Sequence, residues 1–402
     1  MNSLNVPKLR FEGFEGKWEE KKLGEVAEIS SGGTPSRTNQ NYWNGNIPWV
    51  STTLIDFNFI DKTDEYITEE GLKNSSAKLF PVGTLLMAMY GQGKTRGKIA
   101  ILNIEASTNQ ACGAIITNSE KLNSLFAFQN LSKRYDEIRD LSNQGGQENL
   151  SGGILKGIKI SLPTILEQQK IAAFLTAVDE KTQQLSRKKE LLEQYKKGVM
   201  QQLFSGKLRF KDEHGKNYAD WVEKTLGEIG NVITGKTPST TDLDLWNGDI
   251  QFITPTDIKD GNKYQESTER YVMNNSKVKI LPINSIVYTC IASIGKMCIS
   301  KFPAITNQQI NSLVVYENFN FEYVYYWLLY ITPFIKSTQA NTTLPIINKT
   351  DFSKFSIKIP SPKEQQKIAN FLSSIDTKIE ETNEQITQMQ SFKKGLLQQM
   401  FV

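Results

Sequence analysis

Glu167-Gln168-Gln169-Lys170-Ile171-Ala172, followed by Phe174-Leu175, returns as Glu364-Gln365-Gln366-Lys367-Ile368-Ala369, followed by Phe371-Leu372. The offset, 364 less 167, is 197. It still holds where Tyr195-Lys196-Lys197-Gly198 and Gln201-Gln202-Leu203-Phe204 return as Phe392-Lys393-Lys394-Gly395 and Gln398-Gln399-Met400-Phe401, so nothing was inserted or deleted inside the element. Solenoid repeats have periods of roughly 20 to 50 residues. This duplication is instead one large unit used twice, a pseudo-dimer within one chain.

The repeated element reads as helix. Ile171, Val178, Leu185, Leu192 and Val199 lie seven apart, and Ile368, Ile375, Thr382, Met389 and Leu396 repeat the row, which is the pattern of a coiled-coil seam. A second row, Leu372, Ile379, Ile386 and Met400, completes the seam in the second copy, while Thr182, Lys189 and Lys196 weaken it in the first. Each stripe must be buried, against its own domain or against the other copy; heptads sustained this long favour the other copy. Lys188-Lys189 and Lys393-Lys394 read as exposed faces. Each helix starts after a proline-bearing segment, Leu162-Pro163-Thr164 or Ile359-Pro360-Ser361-Pro362.

Ahead of each helix the duplication is looser. Trp18, Leu23-Gly24-Glu25, Thr34-Pro35-Ser36 and Trp43-Asn44-Gly45 return as Trp221, Leu226-Gly227-Glu228, Thr237-Pro238-Ser239 and Trp246-Asn247-Gly248, at an offset of 203 (221 less 18). Farther on, Gly97-Lys98 and Thr108-Asn109-Gln110 answer to Gly295-Lys296 and Thr306-Asn307-Gln308 at 198 (295 less 97). Short branched or aromatic runs such as Gly83 to Met89, Lys98 to Leu102, Ser285 to Thr289 and Phe355 to Ile359 predict strands, interrupted by helix near Leu122 to Leu141 and Glu322 to Lys336. The fold class is α+β: two pseudo-symmetric mixed domains, each followed by a long coiled-coil helix. The boundaries predicted are 1–163 for the first domain, 164–204 for its helix, 205–216 for a linker, 217–361 for the second domain and 362–402 for the C-terminal helix.

At 402 residues, 39% hydrophobic and 22% charged, the chain has room for two domains and an ordinary globular composition. Its longest apolar cluster, Tyr323 to Ile331, is far too short to span a bilayer, and Met1 to Trp18 lacks the apolar core of a signal peptide, so a cytoplasmic protein with no membrane partner is expected. Cys112, Cys290 and Cys298 have neither disulfide nor zinc spacing and read as buried apolar residues.

Catalytic signatures are missing. Ala88 to Thr95 falls one glycine short of a phosphate-binding loop, and it leads through Arg96-Gly97-Lys98 into the strand-like run Ile99 to Leu102 rather than into a helix, so it reads as a turn between strands. The single histidine, His214, sits in the polar stretch between the halves and reads as a linker residue. No metal site is expected. A lone carboxylate can act without a motif, which leaves an enzyme of that kind open.

A net charge of +4 does not by itself argue for nucleic acid. Local groupings are more informative: Tyr90, Lys94, Arg96 and Lys98 crowd one turn, Lys296 answers them in the second half, and Lys207, Arg209 and Lys211 crowd the link. Such cations neutralise phosphates, and Asn and Gln suit base edges, adenine above all. The candidate DNA-contacting set is Thr34, Ser36, Tyr90, Lys94, Arg96, Lys98, Asn109 and Gln110 in the first half, with Lys236, Thr237, Lys296, Asn307 and Gln308 in the second. The ordinary alternative for each is a turn cap or a solvated lysine.

Two variable domains, each opening on Trp, Leu-Gly-Glu and Thr-Pro-Ser and each closing on a Pro, Glu-Gln-Gln-Lys-Ile-Ala, Phe-Leu helix, resemble the specificity subunit of Type I restriction-modification enzymes over nearly the whole chain. The resemblance implies two target recognition domains that read a split double-stranded DNA sequence, separated by two long antiparallel coiled-coil helices that hold two modification subunits. It implies no cofactor on this chain; S-adenosylmethionine, ATP and Mg would belong to the modification and restriction subunits. Helices of about 38 residues would be about 57 Å long, comparable with about 17 base pairs, and could act as a ruler. Two rivals remain at this stage, a coiled-coil scaffold without DNA binding and an enzyme with an unrecognised carboxylate site.

Overall fold

The computed structural model describes residues 5–91, 94–143, 149–274, 279–338 and 345–402. The chain divides into two compact units, Met1–Arg187 with Asn383–Val402, and Lys188–Thr382. The division falls inside both long helices, Ile165–Phe204 and Pro362–Met400. Each unit therefore owns one globular domain and half of each helix.

In the first unit a five-stranded sheet runs in the order 27–31, 112–117, 85–88, 99–102 and 59–60, beside a four-stranded sheet in the order 65–67, 43–50, 106–108 and 79–80. A separate ribbon pairs Glu19–Lys22 with Lys159–Leu162. The second unit repeats the plan: 230–234, 310–315, 286–289, 297–300 and 264–265, then 270–272, 246–253 and 304–306, then the ribbon 222–225 with 356–359. Central strands such as Leu85–Ala88 and Ile286–Thr289 are buried throughout, which explains their continuous rather than alternating apolar pattern.

The sequence motifs shared by the two halves build this frame. Leu23 and Leu226 are fully buried, and each opens a one-turn helix whose Glu carboxylate reaches back to a backbone N–H: Lys22 N donates to Glu25 Oε2 at 2.8 Å and Thr225 N to Glu228 Oε2 at 2.6 Å. Trp18 lies edge-on to Phe126 and Phe401; Trp221 lies edge-on to Tyr323, which in turn meets Phe204. Thus the end of the C-terminal helix packs on the first domain, and the end of the central helix packs on the second.

The heptad rows are placed accordingly. Ile171 and Val178 share one core with Leu396 and Met400 and with Phe126 and Leu131 of the first domain; Val199 and Leu203 share another with Ile368, Ile375, Tyr323 and Trp327. Leu185 is buried, while Leu192 and Met389 are half-buried. The stripes meet both a domain and the other helix, so the two burial partners left open by the sequence are used together. Within each unit the helices are tied by the same ion pair with the roles exchanged, Lys393 to Asp179 at 2.6 Å in the first and Lys196 to Asp376 at 2.5 Å in the second. From Asp179 to Lys196 one helix advances by as many residues as the other retreats from Lys393 to Asp376, the mark of an antiparallel pair. Lys393 is therefore a half-buried ion-pair partner rather than part of a solvated face.

The repeated Glu-Gln-Gln-Lys is a clamp. Arg10 donates from Nε and Nη2 to the two oxygens of Glu167 at 2.8 and 2.7 Å, and Arg209 does the same to Glu364 at 3.1 and 2.8 Å; both carboxylates have no exposed surface. Gln168 and Gln365 are buried next to them, each accepting a backbone N–H, from Asn123 and Asn320, at 2.9 Å. Segment 205–216 is held down by this clamp, by Phe210 edge-on to Phe371 and by a bridge between Lys211 and Asn217. Arg209 is a buried-pair partner here, which removes it from the cations of the link; His214 lies exposed in the same turn.

Candidate nucleic-acid interface

Three loops meet at one end of the sheets in each unit. In the first, Gly33 N donates to Thr108 O at 2.8 Å, Asn109 N to Val50 O at 3.3 Å and Met89 N to Ala111 O at 2.8 Å, so the segments 32–36, 89–91 and 108–111 are bonded side by side. A Cβ on Gly32 would stand 1.9 Å from Thr108 O, and on Gly235 2.1 Å from Asn307 O; only glycine permits the approach. In the second unit Cys290 N donates to Gln309 O at 2.7 Å as Met89 N does to Ala111 O, and Gly235 N donates to Ile310 O at 3.0 Å.

On this frame Thr34 Oγ1 donates to Gln110 Oε1 at 2.6 Å, and Thr237 Oγ1 to Gln308 Oε1 at 2.9 Å. Both glutamines are exposed, and their amide nitrogens have no partner among the described residues. Asn109 and Asn307 are turn caps, accepting from Ala111 N and Gln309 N at 3.1 Å each. Ser36 and Ser239 are exposed; their hydroxyls meet Thr38 and Thr241, and their carbonyls accept from Trp43 and Trp246. Lys236 is exposed beside Thr237.

The lookalike of a phosphate loop is a turn joining strands 85–88 and 99–102, with Ala88 N donating to Lys98 O at 2.9 Å and Gly97 N to Ala88 O at 2.9 Å; its Gln92 and Gly93 lie outside the described residues. Tyr90 and Lys94 are exposed on it, and Lys94 O accepts from Tyr135 at 2.6 Å. Arg96 is half-buried, and Lys98 is ion-paired with Asp56 at 2.6 Å, so these three cations are not equally available. Lys296 is half-buried in the equivalent turn, its backbone N bonded to Thr289 Oγ1.

Sequence reasoning missed a stacked arginine in each unit. Arg37 lies 3.7 Å from the Trp43 ring centroid and gives both terminal nitrogens to Glu65, whose carboxyl is held below the usual range by that hydrogen bond. Arg270 lies 3.5 Å from Trp246. Arg37 directly follows Thr34-Pro35-Ser36 and could have been flagged; Arg270 has no counterpart of its own kind in the first half. Elsewhere, burial pushes the thiols of Cys112 and Cys298 up to about 12 and that of Cys290 to about 11, so all three are inert packing groups. Among the described residues no group of three metal-ligating side chains converges and no helix is long and apolar enough to cross a membrane.

The doubled frame, with its helix motif, matches the family model described as the Type I restriction modification DNA specificity domain twice, over residues 15–194 and 218–390. The chain belongs to that family. Among relatives, the Type I restriction enzyme MjaIX specificity subunit of Methanocaldococcus jannaschii is 32% identical over 213 residues, 50% of this chain and 49% of that protein. The EcoR124I/EcoR124II specificity subunit of Escherichia coli is 32% identical over 43% of each chain. The chain thus spans about half the length of these curated relatives; a putative MjaX specificity subunit matches over 94% of this chain and 92% of its own, at 23% identity. The solved S subunit of a Type I restriction-modification system from M. genitalium shares the fold at a TM-score of 0.64 over 99% of both chains, with 16% identity.

Proposed function

We propose that this family member is the DNA-recognition subunit of a Type I restriction-modification complex, each unit reading one half of a bipartite double-stranded target. The observation that carries the reading is the pair of equivalent loop faces, Thr34–Gln110 and Thr237–Gln308, set on one frame and surrounded by different residues. A dimeric repressor meets two like half-sites through two like faces; here the faces differ, so the half-sites differ. The helix pair docks two modification subunits, which bring S-adenosylmethionine for adenine methylation, and restriction subunits bring ATP, Mg and cleavage, all in the cytoplasm. The chain itself supplies specificity and no catalysis. Nothing in the family match favours a scaffold or a carboxylate enzyme.

Sequencing of methylated sites in a host with and without this chain, its modification subunits present in both, tests the proposal. A bipartite motif that depends on the chain is expected. Methyl transfer to DNA by the purified chain alone would contradict it.

A further inference from the structure

We infer that Arg270, laid on Trp246, reads a guanine in the half-site met by the second unit; the inference rests on the DNA-recognition reading above. Arg270 is exposed at the start of strand 270–272, and its guanidinium lies 3.5 Å from the Trp246 ring centroid. The indole beneath it is fixed: it is only 6% exposed, lies edge-on to Phe252 and donates from Nε1 to Ser239 O at 2.9 Å. Ser239 belongs to the loop whose Thr237 holds Gln308, so the arginine is continuous with the candidate face. Among the described residues no carboxylate pairs with it.

A guanidinium stacked on a fixed ring keeps its plane, and its fork then suits two acceptors in one plane. Guanine presents such a pair, O6 and N7, in the major groove. A phosphate can take the same fork but does not require it, because lysine serves it as a point charge. Glu269 and Arg270 line one cleft of about 270 Å³ with Trp246 and Asn247. A carboxylate there repels phosphate but accepts from the N4 amine of cytosine, so the two side chains together match a G·C pair.

The first unit shows what such a site is like when it is occupied from within. Glu65 stands opposite Trp49 as Arg270 stands opposite Phe252, and Glu65 takes both fork nitrogens of Arg37. The guanine-reading arginine is thus a property of the second unit alone.

The test uses the complex of this chain with its modification subunits. Methylated motifs are compared for wild type, Arg270→Ala, Arg270→Lys and, as a marker of the first unit, Gln110→Ala. Expected is loss of a guanine requirement at one position with either Arg270 variant, in the half-site that Gln110→Ala leaves alone. In binding assays, 7-deazaguanine at that position should weaken the wild-type complex by about 10- to 100-fold and leave Arg270→Ala unaffected. Unchanged motifs would overturn the inference. So would an even loss over all sites that lysine restores, since that marks a phosphate contact. Should both variants fail to assemble, single 7-deazaguanine replacements decide on wild type, and no sensitive guanine in the half-site away from Gln110 overturns it. A wild-type complex that writes no bipartite motif would instead sink the recognition reading itself.

Discussion

The clamp at each helix start is the same in both units, and the face at each sheet end is not. Arg10–Glu167 and Arg209–Glu364 use the same residues in the same geometry, with the same buried glutamine next to them. At the faces, one unit holds an arginine latched to Glu65 where the other offers Arg270 freely. The lesson is that the pair repeated at both clamps is structural, while the arginines that set the two faces apart belong to no repeated motif. Within the frame, too, one site was rewritten. In the second unit Lys263 enters between Glu322, Ser373 and the rings of Tyr264 and Tyr326; in the first, Asn58, Leu125, Thr176 and Phe59, the equivalents of Lys263, Glu322, Ser373 and Tyr264, line a cleft of about 770 Å³.

The largest expected effect comes from breaking a clamp. Arg209→Ala leaves Glu364 buried without its cation and should cost about 3–5 kcal/mol in urea unfolding, and Arg10→Ala should cost the same against Glu167. Equal losses sharpen the comparison; a loss under about 1 kcal/mol at either site would show that the clamp is not a shared foundation. Next, Lys263→Ala should cost about 3 kcal/mol by stranding Glu322, whereas Lys263→Asn with Glu322→Leu, the first unit's solution, should recover most of it. Additive losses in that double variant would mean that the two solutions are not interchangeable.

The smallest effect is at the latch. Arg37 and Glu65 are about half exposed, so Glu65→Gln should change stability at neutral pH by under about 1 kcal/mol. The carboxyl titrates below its ordinary range when folded, so its contribution is complete above that range and disappears as pH falls through the depressed value. Stability measured from pH 7 to about pH 3 should therefore decline less steeply in the variant. An unchanged acid limb would deny that the latch exists in solution.

Much of this was legible in the chain. The offset of Glu167 to Glu364 revealed the duplication, heptads revealed the helices, and the strand-like run after Arg96 correctly argued against a phosphate loop. What stayed hidden depended on long-range pairing. Arg209 sits between Lys207 and Lys211 in sequence and looked like a phosphate contact, because nothing local shows that its partner is Glu364. Lys393 likewise looked solvated until Asp179 met it. Heptad spacing reports that a stripe is buried but not against what, so the sharing of Val199 and Leu203 with the second domain was beyond its reach. Arg270 was invisible because its equivalent position holds a residue of opposite charge.

The central claim, that each unit reads its own half-site through one loop pair, is tested most directly by the methylated motifs of Gln110→Ala and Gln308→Ala in the assembled complex. The account predicts that each variant relaxes a base requirement in a different half-site and leaves the other half intact. Relaxation of the same half-site by both, or a motif changed by neither, would contradict it.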